Sequence, residues 1–465
     1  MGSGLGQTPK LVGSVDPMRV GIVLFTRDLR VHDNPALHAA CEECERVVPL
    51  FVLDDAILAA FGAPNRVAFL LDALRDLDAS LRGLGSGLVV RRGDVAAEVA
   101  RVATAVGAEV LFLAQDVSAY ARRRERRLCD GGVEVRSLPG VTVIPPGELA
   151  PSGGGDSFAV FTPYWNRWRA QPRRAVLGPP RAIQRPEIDP GRVPDLDEIA
   201  PHALSPSLPG GGERAGRGRL DAWLDSGLGT YGSGRDDLAD DSTSRLSPYL
   251  RFGCLSPLEV AERARGRPGG DAFVRQLCWR DFHYQLFADR PELARDDMRS
   301  RDDHWRDDAD ALAAWKEGGT GYPLVDAGMR QLREEGFMHN RARLVTASFL
   351  TKHLYLDWRV GAAHFADLLV DGDVPNNLGN WQWVAGTGAD TRPNRMFNPT
   401  RQAQRYDPSG AYVRRWIQEL VGIDGAAAHE PWKLGILAPA QYPAPIVDHA
   451  EAVARFRAAR ALTAR

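Results

Sequence analysis

The sequence predicts two unlike halves, an α/β domain with a parallel sheet and an all-helical domain. Up to about residue 140, short β-rich runs alternate with helical patterns, which is typical of βαβ units covered by helices on both faces. From about residue 216, helical patterns dominate. A stretch rich in Pro and Gly separates the two regions and is typical of a long connector.

The α/β domain is predicted over residues 19–145. Five runs rich in apolar and β-branched residues predict its strands, at 19–25, 47–53, 88–91, 110–113 and 133–138. The clearest helix is predicted over 66–84, where apolar residues trace one face. The first strand continues into Thr26-Arg27-Asp28 rather than a GxGxxG motif. We therefore expect a Rossmann-like domain without a conventional dinucleotide site at that turn.

Composition narrows the class of protein. The chain has 465 residues, 44% hydrophobic and 25% charged, as in ordinary globular proteins. Residues 1–18 lack the apolar segment of a secretory signal, and no apolar run is long enough for a membrane helix. We expect a disordered extension there and a cytoplasmic protein without membrane contact. The formal net charge of −2 neither supports nor excludes DNA binding, which needs only a local basic patch.

The cysteines give no metal or disulfide signal. There are five in the whole chain, which favours a reducing compartment. Cys41 and Cys44 form a CxxC, but no second pair follows at the spacing of a zinc site. We interpret this pair as structural and expect no metal.

The connector is predicted over 146–215 and the helical domain over 216–465. Within the connector, an aromatic island that includes Phe161 and Trp168 is expected to dock on a neighbouring surface. Helices are predicted at 272–287, 322–335 and 341–356, and the Ala-rich region after residue 425 is also expected to be helical.

Three clusters in the helical domain carry groups suited to chemistry. Thr243-Ser244-Arg245-Leu246-Ser247-Pro248 places hydroxyls before a helix, where they cap it or bind phosphate. Gln276, Trp279 and Arg280 lie on adjoining helix faces and suit a base edge and a base plane, although a buried Trp beside a solvated Arg explains them too. The segment 371–383 combines two carboxylates, four amides and two indoles, which indicates a polar cofactor site.

These clusters, taken with further blocks, resemble the photolyase/cryptochrome family. The other blocks are Arg27 to Pro35, Trp279-Arg280-Asp281-Phe282, Gly321 to Ala327, Met338-His339-Asn340-Arg341 and Phe397-Asn398-Pro399-Thr400, in the family's order from about residue 19 to 420. The resemblance implies an antenna domain, a connector and a C-terminal helical domain that binds FAD. It further implies a carbon–carbon lyase that repairs cyclobutane pyrimidine dimers in DNA by electron transfer from photoexcited reduced FAD to a flipped-out dimer.

The resemblance also implies roles for particular residues. Asn377 matches the residue that faces flavin N5, and an Arg343–Asp371 ion pair is expected beneath the flavin. Trp305, Trp358 and Trp381 match an electron relay from the surface, although each alone could be an ordinary core residue. The FAD-binding positions are Tyr231, Thr243, Ser244, Arg245, Leu246, Ser247, Phe273, Arg343, Asp371, Gly372, Asp373 and Asn377.

The same resemblance implies a lesion pocket with Trp279 and Trp383 on either side of the dimer and arginines near the flanking phosphates. Its positions are Arg235, Gln276, Trp279, Arg280, Asn340, Arg341, Leu344, Trp383, Arg395 and Gln402. The pattern departs from the family's dimer-repair members at Gln276, where a glutamate is usual, and at Leu344, where a methionine is usual. A (6-4) specificity is disfavoured because histidines are absent at Asn340 and Leu344.

Two further expectations concern partners. The segment 113–118 lacks the acidic stretch associated with folate antennas, so 8-hydroxy-5-deazaflavin is favoured over methenyltetrahydrofolate as a second chromophore. The chain is expected to act as a monomer. The alternative function is a cryptochrome-type blue-light photoreceptor that binds FAD without repair; Asn377 and the short tail favour repair, whereas Gln276 and Leu344 lean the other way.

Overall fold

The computed structural model describes residues 18–462, so the predicted N-terminal extension lies outside the described residues apart from Met18. The α/β half forms one sheet of five parallel strands in the order β3-β2-β1-β4-β5. This is a Rossmann-like arrangement, as predicted. Its strands are β1 (Met18–Phe25), β2 (Cys44–Leu53), β3 (Val89–Arg92), β4 (Val110–Ala114) and β5 (Glu134–Leu138); its helices are α1 (Pro35–Glu43), α2 (Asp55–Phe61), α3 (Pro64–Gly83), α4 (Val95–Val106) and α5 (Ala119–Cys129).

Alternate residues of β1 enter two different cores because successive side chains of a strand point to opposite faces. Ile22 and Leu24 pack on the α4 side of the sheet. Val23 and Phe25 belong to a larger core that continues through the connector into the helical half. The sheet therefore joins the helical half through one continuous apolar interior.

The connector carries one α-helix, α6 (Phe161–Ala170), and a 3₁₀ turn (Leu196–Glu198), and two of its segments run along the sheet. The backbone N–H of Val47 donates to Gln184 O (2.8 Å) and that of Val90 donates to Pro190 O (2.8 Å). The aromatic island docks as expected, since Trp168 is fully buried and its indole N–H donates to Asp281 in the helical half.

The helical half follows with its own core, centred on residues 315–385. Its helices are α7 (Glu213–Ser226), α8 (Tyr231–Gly234), α9 (Ser247–Phe252), α10 (Pro257–Ala264), α11 (Gly270–Asp289), α12 (Ala309–Glu317), α13 (Pro323–Glu335), α14 (Asn340–Ser348), α15 (Trp358–Leu368), α16 (Val374–Ala385), α17 (Pro399–Tyr406), α18 (Ala411–Trp416) and α19 (His449–Leu462). Within residues 18–462, no helix is long and apolar enough to cross a membrane.

Two helix predictions differ from the structure. The helix expected over 341–356 ends at Ser348, continues as a π-helical turn (Phe349–Leu354), and stops at Tyr355, whose φ is 55°. The region after residue 425 forms short 3₁₀ turns before α19, because Pro431, Pro439 and Pro445 interrupt a regular helix.

The segment after β1 joins the two halves. The Arg30 guanidinium is buried and donates to Gly140 O and Gly253 O, both at 3.0 Å. The Glu213 carboxylate accepts from the Val31 N–H at 2.7 Å. The block that begins at Arg27 is therefore a structural joint between the halves.

Candidate functional site

The turn before α9 is built from two residues in a left-handed conformation. Asp241 and Arg245 have φ values of 46° and 50°, which non-glycine residues rarely adopt. The Arg245 guanidinium holds this turn through ion pairs with Asp241 and with Glu335 (3.0 Å). The charge of Arg245 is thus paired with two carboxylates, and the neighbouring Thr243 hydroxyl donates to Asp241 Oδ1 at 3.0 Å.

A carboxylate frame lies between α9 and α14. The Arg343 guanidinium donates to Asp371 Oδ2 at 2.9 Å, so the expected ion pair is present. The Ser247 hydroxyl donates to the same oxygen at 2.6 Å. Asp371 Oδ1 is buried and has no hydrogen-bond partner among the described residues. A buried acceptor of this kind needs a donor, which a ligand N–H or hydroxyl would supply.

Asp373 lies at the N-terminus of α16 and forms a second, fully buried cluster. The Arg27 guanidinium, from the other half of the chain, donates to it, and Tyr284 O–H donates at 2.8 Å. Burial alone raises the pKa of Asp373, but the charges of Arg27 and Arg280 and two hydrogen bonds outweigh it and hold that pKa well below its ordinary value. The Asp373 carboxylate is therefore ionised at neutral pH.

The Asn377 amide has a defined orientation on α16. Its Nδ2 donates to Ala362 O on α15 at 3.1 Å. Because the NH₂ group is engaged there, the carbonyl oxygen Oδ1 is left as an acceptor. Nearby, Gly379 packs against the His283 ring, where a Cβ would approach to 2.7 Å. This close approach fixes α16 against α11.

Three aromatic side chains of the helical half pack against one another. Tyr231 and Phe273, both expected to contact FAD, meet edge to face with ring centroids 5.5 Å apart. Trp223 lies against both rings. The other expected cofactor positions lie in the segments already described: Thr243, Ser244 and Leu246 in the turn before α9, and Gly372 between the two carboxylates.

The three expected relay tryptophans occupy neighbouring elements. Trp381 on α16 and Trp358 at the start of α15 are buried, with exposures of 2% and 0%. Gly361 on α15 allows the close packing, since a Cβ there would lie 2.3 Å from the Trp381 ring. Trp305 is partly buried on the same core. Trp305 is therefore the most exposed of the three, and their role as an electron relay stays a prediction.

On α11, Trp279 is more firmly held than the sequence indicated. Its ring stacks on Phe161 of the connector, with centroids 3.6 Å apart and an interplanar angle of 4°. Gln276 lies partly exposed on the same helix. One face of the indole is thus covered by protein, and only the other face is left for a base.

Arg280 was expected in the lesion pocket near a flanking phosphate, and its surroundings differ from that expectation. Its guanidinium is largely buried and donates to Val141 O (2.6 Å) and Tyr284 O–H (3.2 Å). It belongs to the cluster around Asp373, because its position on α11 directs it toward the joint between the halves. Its charge acts on Asp373 and not on an open DNA surface.

The remaining lesion-pocket positions are partly or fully exposed. Arg395 lies over Trp383 at 5.2 Å, and Arg235 lies 6.0 Å from the Tyr231 ring. Arg341 pairs with Asp236 at 2.6 Å, which partly neutralises it. Asn340 is exposed at the start of α14, with Leu344 one turn later, and Gln402 lies on α17.

Several contributing residues had no role assigned from the sequence. Arg27 and Tyr284 order Asp373, and Phe161 backs Trp279. The buried Lys352 ammonium donates to Arg395 O at 2.6 Å and so holds the loop that carries that arginine. The sequence held a signal for only one of these residues. Arg27 follows directly after β1, and ligands commonly bind at the carboxyl ends of parallel strands.

A cavity of about 280 Å³ lies at the carboxyl end of β4. Gln115, Asp116, Glu125 and Tyr284 are among its lining residues. The strand order reverses between β1 and β4, which is where open α/β sheets commonly bind ligands. Arg124 on α5 is close to Asp116, and its Nε and Nη2 are buried without a partner among the described residues.

Comparisons with known proteins agree with this arrangement. Residues 21–186 match the family described as DNA photolyase, and residues 273–461 match the FAD binding domain of DNA photolyase. A deoxyribodipyrimidine photo-lyase of Streptomyces griseus is 56% identical over 456 residues, which cover 96% of this chain and 100% of the relative. The Escherichia coli protein of the same name is 35% identical and covers 95% of this chain and 99% of its own length.

Solved structures give the same result. A bacterial class III photolyase from Agrobacterium tumefaciens superposes with a TM-score of 0.90 at 34% identity and covers 98% of this chain and 100% of its own. A Synechocystis cryptochrome superposes with a TM-score of 0.87 at 30% identity, over 96% and 100% of the two chains. With both halves matched and nearly the whole length aligned, the chain belongs to the photolyase/cryptochrome family.

Proposed function

We propose that this protein is a light-driven lyase that repairs cyclobutane pyrimidine dimers in DNA with FAD as its cofactor. The observation that carries the proposal is the frame of Arg343, Ser247 and Asp371, whose buried Oδ1 needs a donor. The names of its relatives and the matched FAD-binding domain support this function. This frame also fits FAD, because the hydroxyl and N–H groups of FAD can donate to the free acceptor Asp371 Oδ1.

Each part of the site has a task in that reaction. FAD supplies the light-excited electron that splits the dimer. Asn377 Oδ1 is suited to accept a hydrogen bond from the flavin N5–H, since its NH₂ group is held by Ala362. The open faces of Trp279 and Trp383 would stack on the flipped dimer, and Arg395 over Trp383 would neutralise a flanking phosphate.

The direct test uses protein that carries reduced FAD and single-stranded DNA that contains dimers. We expect loss of dimers under blue light and none in the dark. The absence of light-dependent loss would overturn the repair function and favour the photoreceptor, which the similarity to the Synechocystis cryptochrome and the presence of Gln276 support.

Sedimentation in the same preparation tests the proposed monomer, and fractionation of cells tests the proposed cytoplasmic location.

For the second chromophore, we propose 8-hydroxy-5-deazaflavin in the cavity at the carboxyl end of β4. Arg124 supports this assignment from beside the cavity: its Nε and Nη2 are buried without a partner among the described residues, and it neighbours Asp116 and Glu125, which line the cavity. An anionic oxygen of the chromophore would pair with these donors. An archaeal photolyase from Sulfolobus tokodaii, with a TM-score of 0.85, is described as having two FAD molecules, with the implication of a novel light-harvesting cofactor, which supports a second chromophore site here.

The antenna is tested by reconstitution with deazaflavin or with methenyltetrahydrofolate, read by absorption and by the excitation spectrum of repair. Arg124→Leu should abolish deazaflavin binding, whereas Arg123→Leu, at an exposed position on the same helix, should retain it. Binding of the folate alone would overturn the assignment.

A further inference from the structure

A buried ammonium supports the loop that links α16 to α17. Lys352 lies in the π-helical turn (Phe349–Leu354), and its side chain is buried. Its Nζ donates to Pro393 O at 3.1 Å and to Arg395 O at 2.6 Å. Among residues 18–462, no carboxylate forms an ion pair with this ammonium. Its hydrogen-bond partners are therefore two carbonyl groups of the loop.

The two ends of this loop are held in different ways. Next to α16, the Arg301 guanidinium donates to Gly386 O at 3.2 Å. Over residues 393–397, both of the described hydrogen bonds from side chains come from Lys352. Loss of the ammonium should therefore loosen the second half of the loop and leave the first half in place.

The second half of the loop carries an arginine of the proposed lesion pocket. Arg395 is exposed, and its guanidinium carbon lies 5.2 Å from the ring centroid of Trp383 and 5.0 Å from that of Phe397. The carbonyl of the same residue accepts from Lys352. One residue thus joins the buried ammonium to the wall of the pocket, because its backbone is fixed on one side and its side chain lies on Trp383 on the other.

The Lys352 ammonium loses its charge in the neutral pH range. Burial lowers the pKa of Lys352 to about 7, and the positive charge of Arg460 on α19 adds to that effect. The other charged or titratable groups near the ammonium are Asp390 and Arg395 from the loop, Asp303 from the segment before α12, and His353 beside it in the chain. Hydrogen bonds from a charged donor are about twice as strong as those from a neutral one. The support of the loop therefore weakens as the pH rises through about 7.

On these contacts, and resting on the proposed dimer repair, we propose that Lys352 is a positioning residue of the lesion pocket: its buried ammonium sets the backbone of residues 393–395 so that Arg395 lies over Trp383, ready for a phosphate that flanks the flipped dimer. Lys352 is itself buried and acts through Arg395. Its contribution therefore goes into the affinity for the lesion and not into the electron-transfer step.

The experiment compares FAD-loaded parent and Lys352→Met by fluorescence titration in the dark with dimer-containing single-stranded DNA. Methionine keeps the unbranched apolar stem and removes the ammonium. We expect the Kd to rise about tenfold at about pH 6, the effect of losing one charge-assisted hydrogen bond. The repair rate at saturating DNA and light, and the FAD content, should match those of the parent. An unchanged Kd, or a lower repair rate at an unchanged Kd, would overturn the proposal.

The matched control is Lys316→Met, which removes the same charge from an exposed position on α12. We expect its Kd to equal that of the parent. An equal rise of Kd in the two lysine variants would overturn the proposal, because net charge alone would then explain the loss of affinity.

A double-mutant cycle with Arg395→Ala separates positioning from a general loss of stability. If Lys352 acts through Arg395, then Lys352→Met should cause no further rise of Kd once Arg395 has been truncated. Independent, multiplying effects of the two substitutions would overturn the proposal, since the lysine would then act by another route.

The pH dependence tests the part played by the charge. Protonated Lys352 favours binding, so the ratio of the Kd of Lys352→Met to that of the parent should be largest at about pH 6 and should shrink by about pH 8.5. Neither arginine of the pathway titrates in this range. A ratio that stays constant across the series would overturn the role of the ammonium charge.

Failure of this proposal can be told apart from failure of dimer repair. Light-dependent loss of dimers in the parent at saturating DNA reports the repair function itself. A parent that repairs dimers but binds them no more tightly than Lys352→Met overturns only the role of Lys352. A parent that binds dimers without repairing them overturns the proposed function, whereas its Kd relative to the variant still tests Lys352.

Discussion

At position 276 the chain carries an amide where the family resemblance leads one to expect a carboxyl group. Gln276 is partly exposed on α11, three residues before Trp279. Gln276→Glu should repair dimers at least as fast as the parent and up to about tenfold faster, which corresponds to about 1.4 kcal/mol of extra stabilisation from a hydrogen bond to a charged or proton-donating group. Repair rates under saturating light check this. A clearly slower variant would show that the pocket is shaped around the amide.

A second prediction at the residue scale concerns the support behind Trp279. Phe161→Leu removes a stacked partner at 3.6 Å, and aromatic pairs contribute about 0.5–1.5 kcal/mol beyond their buried area. We expect the affinity for dimer-containing single-stranded DNA to fall several-fold, measured by fluorescence titration. Phe158→Leu is the control, because Phe158 is buried in the same connector but meets Tyr164 instead. Equal affinities for the two variants would contradict the supporting role.

At the scale of elements, the N-terminus of α16 depends on a residue from the other half. Arg27→Gln removes a positive charge that offsets the buried negative charge of Asp373. Breaking a buried ion pair in this way typically costs about 3–5 kcal/mol of stability. We expect a lower melting temperature of the FAD-free protein and a smaller FAD content after purification. Arg92→Gln, which removes an exposed pair with Asp55, should change neither. Normal FAD content in Arg27→Gln would show that Asp373 is held by its other partners alone.

The same elements show what the sequence could and could not predict. Alternating and continuous apolar runs located all five strands to within a few residues, because the sheet is buried on both faces. The break after Ser348 was missed, since no Gly or Pro marks it and Tyr355 adopts the left-handed conformation through its tertiary contacts. Arg27 and Asp373 are 346 residues apart, so no local pattern could pair them.

At the scale of the whole molecule, Asp281 ties three regions together. Its Oδ2 accepts from the N–H groups of Val143 and Ile144 and from the Trp168 indole, at 2.9–3.0 Å. Burial raises its pKa to about 6, although Arg280 and these hydrogen bonds oppose the shift. Because the folded pKa exceeds the ordinary value, protonation of this group stabilises the fold below about pH 4, and that contribution is lost as the pH rises through about 6.

The corresponding variant is Asp281→Asn, which cannot titrate. Its stability relative to the parent should rise by roughly 3 kcal/mol between about pH 4 and pH 7, as follows from a shift of about two pKa units. Denaturant midpoints at a series of pH values measure this difference. A constant difference would mean that the carboxyl group does not titrate in this range.

The predicted domain boundaries at residues 145 and 215 remain predictions. Because Asp281 bonds to residues on both sides of residue 145, we expect the parts that these boundaries separate to unfold together.

The bonds between the connector and the sheet bear on how the chain can be divided. β3 is an edge strand, and its Val90 N–H is bonded to Pro190 O, 45 residues beyond the predicted end of the α/β domain at residue 145. A fragment that stops at residue 145 would present this edge to solvent, and bare strand edges recruit other chains. Such a fragment should aggregate faster than one that extends through residue 191, because only the longer fragment covers this edge, while both expose the apolar face that packs on the helical half.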